Sequence, residues 1–128
     1  MDRARARIVN AAAQDGFSLI ELLAVLVVIG ILLAIAIPSM LGFRTRAADA
    51  VANANIREAI PSVMAHHTDS GTYVGMTLAG LRASYDAGLS DTLSLASLTA
   101  SSYCIQSTVS GRTWRQNGPA AQIEPAGC

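Results

Sequence analysis

The chain is dominated by one uninterrupted apolar block. Between Phe17 and Ile37 the only charged side chain is Glu21, and residues 22–37 carry no polar side chain at all. Read as a helix, residues 17–37 rise about 31 Å, the depth of a bilayer's hydrocarbon core. A small soluble domain has no use for such a run, so the block reads as a membrane-spanning segment. Ahead of it, residues 1–16 are basic at the front (Arg3, Arg5, Arg7) and polar at the end (Gln14, Asp15, Gly16). Behind it, residues 38–70 read as a second length of helix, because Ala47, Ala48, Ala50, Ala52 and Ala54 supply strong helix propensity. Pro38, Gly42 and Pro61 are expected to loosen or kink it. Its apolar residues fall on two faces, one with Phe43, Ala47 and Val51, the other with Ile56, Ile60, Val63 and Met64. The helix is therefore expected to be buried differently along its length.

The pattern changes after Ser70-Gly71. Residues 71–91 read as a loop holding a short helix around Leu78 to Tyr85. From residue 92 the apolar positions alternate: Leu93 and Leu95, then Tyr103, Ile105 and Val109, each set reading as a strand. Ser110-Gly111 is a hairpin signal before a strand at residues 113–116. The expected architecture is α+β: a segment at 1–16, a membrane helix at 17–37, and a globular domain at 38–128. In that domain the helix at 38–70 packs on a small antiparallel sheet of about three strands within 92–128.

Composition sharpens this picture. A chain of 128 residues has room for one small domain. Its 52% hydrophobic content is concentrated in the apolar block. Nine basic residues, all arginine, balance nine acids, so net charge gives no general reason to expect nucleic acid as a partner. Cys104 and Cys128 have neither CxxC spacing nor a neighbouring His, a poor start for a metal site. A disulfide suits them if this part of the chain leaves the cytoplasm, and it would stabilise a small domain by about 3–4 kcal/mol. Two unpaired buried thiols are the alternative.

Glu21 is the anomaly. A carboxylate in an apolar segment costs a few kcal/mol unless it is compensated. Amide groups of the first helical turn offer part of that compensation, and a snorkelling side chain at the membrane boundary would tolerate the rest. A positive charge would do better, and the block contains none. Cleavage after Gly16 would create one, the α-amino group of Phe17, about 6 Å along the axis from Glu21. Within one helix that amine points poorly toward the carboxylate. A neighbouring subunit shifted along the axis aligns the two.

The stretch Gly16-Phe17-Ser18-Leu19-Ile20-Glu21-Leu22 resembles the prepilin-peptidase site of type IV pilins and type II secretion pseudopilins. The resemblance implies that Gly16 ends a leader peptide, that Phe17 becomes the methylated N-terminus, and that Glu21 is the assembly glutamate. It also implies that the helix loosens at Gly30 and Pro38 inside a filament. Thr68-Asp69-Ser70-Gly71-Thr72-Tyr73 is similar to the segment that closes the long pilin helix, although Val74 stands where many such proteins have proline. The Cys104–Cys128 bracket resembles the C-terminal disulfide loop of many pilins. Major pseudopilins often carry a calcium site instead, and the nearby Asp86 and Asp91 are too few to propose one.

The chain is therefore expected to be a ladle-shaped, non-enzymatic subunit of a type IV pilus-like filament, without catalytic residues, metal or cofactor. Its implied partners are the prepilin peptidase, the cytoplasmic membrane before assembly, and further copies of itself after assembly. The globular domain would lie outside the membrane, and the filament on the bacterial surface. Other readings are a pseudopilin or minor pilin of a type II secretion or DNA-uptake system, a secreted protein cut after Ala36 in Ala34-Ile35-Ala36, and an uncleaved single-pass anchor. Arg112, Trp114 and Arg115 raise DNA as a partner; the plainer reading packs Trp114 on the long helix with the arginines at its rim. Adjacent His66 and His67 point to different faces and cannot chelate together.

Overall fold

A 52-residue helix, α1 (Leu19–Ser70), opens the computed structural model, which describes residues 16–128. The leader assigned to residues 1–16 lies, apart from Gly16, outside the described residues. The chain divides into two compact units, Met1–Met40 and Leu41–Cys128.

In the first unit α1 is helical through the whole apolar block, and every described side chain is exposed. Pro38 does not end the helix. A proline removes one backbone donor and crowds the preceding turn, costing about 3 kcal/mol. Ala, Leu and Ile on both sides favour continuation, and in hydrocarbon an unwound backbone would lack partners altogether. Gly30, Gly42 and Pro61 are likewise inside continuous helix.

In the second unit α1 presents a narrow stripe of Ala48, Ala52, Ile56, Ala59 and Val63 to the core. These residues recur at three- and four-residue spacing, so they share one face. Ile56 and Val63 are buried as expected, and Ile60 is packed against the core. Phe43, Val51 and Met64 are exposed. Of the two apolar faces, the one with Phe43 and Val51 is not the buried one; alanines occupy the core-facing positions beside it. The helix ends at Gly71, whose N–H donates to the His67 carbonyl and whose φ of +74° is the left-handed conformation that glycine adopts without strain.

A short helix comes next, α2 (Leu78–Ser84), capped by Thr77, whose hydroxyl accepts from the Gly80 N–H at 3.0 Å. It lies where the sequence places it and contributes the buried Leu81. Four antiparallel strands complete the unit: β1 (Leu93–Ala96), β2 (Tyr103–Val109), β3 (Arg112–Gly118) and β4 (Ile123–Glu124), in the order β1-β2-β3-β4. Ser110 and Gly111, at φ +49° and +77°, close the β2–β3 hairpin with Val109 opposite Arg112. Positive φ at both central residues matches the twist of the flanking strands. β4 exceeds the expected three strands. Its two residues give no alternation to read, and it is held by pairing with β3 and by an Arg115–Glu124 ion pair.

The core gathers Ile56, Ala59 and Val63 from α1, Tyr73 and Met76 from the loop, Leu81 and Leu89, and Leu93, Tyr103 and Ile105 from the sheet. Gly118 faces Tyr103 across the β2–β3 pair, and a β-carbon there would collide with the Tyr103 ring. The absent side chain leaves room for the ring, whose hydroxyl donates to Gln116 Oε1 at 3.2 Å.

Candidate assembly site

Glu21 is the acid of Ser18-x-x-Glu21, the sequence pattern of a capping box. The structure forms the glutamate half of that box, while the serine hydroxyl takes the N–H one residue earlier. Ser18 precedes the first turn of α1, its carbonyl accepts from the N–H groups of Glu21 (3.1 Å) and Leu22 (3.2 Å), and its hydroxyl accepts from Ile20 N–H at 3.4 Å. The Glu21 carboxylate reaches back and accepts from the Ser18 N–H through Oε2 at 3.0 Å. One oxygen of the anomalous acid thus satisfies an end of its own helix, at the end where the backbone dipole favours negative charge. Oε1 has no such bond among the described residues. The side chain is exposed, and so are Gly16 and Phe17, the latter at 84%.

From Leu22 to Ile37 the large apolar side chains are at least 46% exposed. This is the one described helix long and apolar enough to cross a membrane, with a mean hydropathy of 3.1 over its most apolar 18 residues and none of that stretch covered by the chain itself. Such a surface requires lipid or other protein around it. Gly30 has open space where a side chain would project.

The globular unit has a polar cluster that centres on a residue the sequence did not single out. Asp49 accepts from Arg112 through two bonds, Nε to Oδ1 at 2.8 Å and Nη2 to Oδ2 at 3.0 Å, and from Trp114 Nε1 at 2.8 Å. The Arg112 hydrogen bonds, then that of Trp114, hold its carboxyl below the ordinary value of 3.8. Asp49 also raises Arg112 above the usual guanidinium range. On the opposite strand face Arg115 binds Glu124 at 2.8 Å and donates to the Gly127 carbonyl at 2.7 Å. The alternation expected for Arg112, Trp114 and Arg115 is thus observed, and Trp114 packs against the core. Their polar groups are turned to carboxylates of this chain. Asp49 could have been found from the sequence by asking which acid on the helix answers the hairpin's arginines.

His67 stacks on Tyr73 at 4.3 Å between ring centroids, and His66 meets Tyr85 edge-on at 6.5 Å. They diverge, as adjacent helical residues must. Tyr85 donates to Asp69 Oδ2 at 2.6 Å, which raises its own pKa. Asp86 accepts from the Gly88 N–H, and Asp91 pairs with Arg82. Among the described residues no three of His, Cys, Asp and Glu come together as a metal site. Cys104 and Cys128 form a disulfide that ties the chain end to β2.

Residues 12–37 match the prokaryotic N-terminal methylation motif. Over 102 residues the chain is 36% identical to the type IV wide pilus major component PilA4 of Thermus thermophilus, an alignment covering 77% of this chain and 76% of that protein. That likeness extends well beyond the motif into the globular unit. With its bare apolar helix, its helix-on-sheet domain and its C-terminal disulfide, the chain belongs to the type IV pilin family.

Proposed function

We propose that the protein is the structural subunit of a type IV pilus-like filament, processed after Gly16 and polymerised through its N-terminal helix. The observation that carries this reading is an apolar helix left bare by its own chain, with one carboxylate at its start. Before assembly, lipid covers the helix of a subunit whose globular domain lies outside the cytoplasmic membrane. In the filament, helices of neighbouring copies replace lipid. Cleavage supplies the missing cation: an α-amino group with an ordinary pKa of about 7.7–8.0 is largely protonated at neutral pH. The Phe17 amine of one subunit then neutralises Glu21 of the next, and the loosening assigned to Gly30 and Pro38 belongs to that packed state. The protein performs no catalysis; Gly16 and Phe17 are substrate for the peptidase. The Cys104–Cys128 bracket supports a pilus subunit over a secretion pseudopilin.

Mass spectrometry of the mature N-terminus tests the reading. A chain beginning at Phe17, with or without a methyl group, is expected. A start at Ile37 would mean ordinary secretion, and a retained Met1 an uncleaved anchor; either sinks the proposal.

A further inference from the structure

The globular unit begins at Leu41, shortly after Ile37 closes the apolar block. Its first turns leave large apolar side chains uncovered, Leu41 at 63% and Phe43 at 72% exposure. Arg44 and Arg46 follow, both exposed and neither in an ion pair among the described residues. No acid stands between Glu21 and Asp49, and Asp49 is already bonded to Arg112 and Trp114. This end of the unit is apolar and cationic at once.

The β2–β3 hairpin is held at the same place, because the Arg112–Asp49 pair ties its tip to α1. Between hairpin and helix lies an open groove of about 650 Å³, lined by Leu41, Phe43, Arg44, Val51, Val109 and Ser110 among others. The lining is mostly apolar, and Arg44 is its unpaired cation.

Side chains of a helix lean toward its N-terminus, so both arginines lean back toward the apolar span. Arg44 is about 10 Å along the axis from Ile37, and a headgroup layer is about 5–8 Å deep. A snorkelling side chain closes that difference. Two residues on a helix are about 200° of rotation, so Arg44 and Arg46 face nearly opposite ways. A protein partner seated on one side would meet one of them. A membrane surface surrounds the helix and meets both.

We propose that this groove seats an anionic phospholipid of the membrane's outward-facing leaflet. Its phosphate pairs with the Arg44 guanidinium, whose planar fork matches phosphate oxygens. The upper acyl chain lies against Leu41, Phe43 and Val109, and Arg46 meets headgroups across the helix. Exposed Arg57, about 20 Å past Arg44, is too far along α1 to take part. The inference rests on the membrane-held subunit of the reading above and adds the class of lipid it selects.

Native mass spectrometry of the full-length chain, in detergent micelles doped with phosphatidylglycerol or phosphatidylcholine, tests the site. One phosphatidylglycerol per chain should be retained, in preference to phosphatidylcholine by about fivefold or more. Arg44→Gln should lower that retention about fivefold, the scale of one arginine at an anionic surface. Phe43→Ser should lower it as well, and Arg57→Gln should leave it unchanged. An intact disulfide and an unaltered thermal melt verify folding. Excess inorganic phosphate should not displace the lipid, because it leaves the apolar lining bare. Equal retention of the two lipids, full retention by Arg44→Gln, equal loss in Arg57→Gln, displacement by phosphate, or paired chains without lipid each overturn the site. A mature chain starting at Ile37 removes the membrane-held reading and the site with it. A Phe17 start without selective lipid removes the site alone.

Discussion

Asp49 and Glu21 show how a single carboxylate takes its meaning from its donors. Asp49 has three hydrogen bonds from Arg112 and Trp114, and its carboxyl is held below 3.8. A lowered acid contributes stability that is complete above the unfolded value and is lost as pH falls through the folded one. Thermal melting of the detergent-solubilised protein should show Asp49→Ala less stable than wild type at pH 7, with the gap narrowing below about pH 4. A gap independent of pH would mean that packing, not charge, is what the substitution removes. The capping bond of Glu21 and the assembly role proposed for it are separated by one substitution. Glutamine can fill the capping-box position but has no charge. Glu21→Gln should therefore be processed and stay in the membrane yet form as few filaments as Glu21→Ala. Normal assembly of the glutamine variant would assign the residue to capping. Gly118 is a third such position, because a side chain there meets the Tyr103 ring. Gly118→Val should destabilise the fold by about 1–3 kcal/mol, the usual range for overpacking, measured by chemical denaturation.

At the scale of elements, α1, α2 and the β2–β3 hairpin were legible because each has a local cause. Alanine propensity and the apolar run make α1, the Thr77 cap starts α2, and Ser110-Gly111 turns the hairpin. Pro38 and Pro61 stand inside a continuous helix, since a proline weakens a helix by a bounded amount that the flanking residues outweigh here. The sequence left open which face is buried where. Phe43 and Val51 have the larger side chains, yet the core-facing positions are Ala48 and Ala52, whose small volume leaves little trace in a hydrophobicity pattern. β4 was illegible because two residues have no period. These elements meet at Ile56, which no solvent reaches. Ile56→Ala should cost about 2–5 kcal/mol in a denaturation midpoint analysis, whereas truncating exposed Phe43 should cost far less. Equal losses would contradict the assignment of faces.

At the scale of the whole molecule, the apolar helix and the disulfide-closed domain answer to different surroundings. Residues 19–37 are stable only against lipid or other helices, while the domain carries its own core. Reducing the Cys104–Cys128 bond should lower the domain's stability by about 3–4 kcal/mol in the chain-entropy account, read from melts with and without reductant. An unchanged melt would place the stabilising contacts elsewhere. Chain order alone determined the long apolar segment, the N-terminal methylation motif and the family, because hydrophobic length and a short motif are local properties that need no fold to be read. Tertiary structure decided which face of α1 is buried and that Asp49 answers Arg112 and Trp114 across 63 and 65 residues. Those depend on distances between residues far apart in the chain, and only the packing of the helix on the sheet sets such distances.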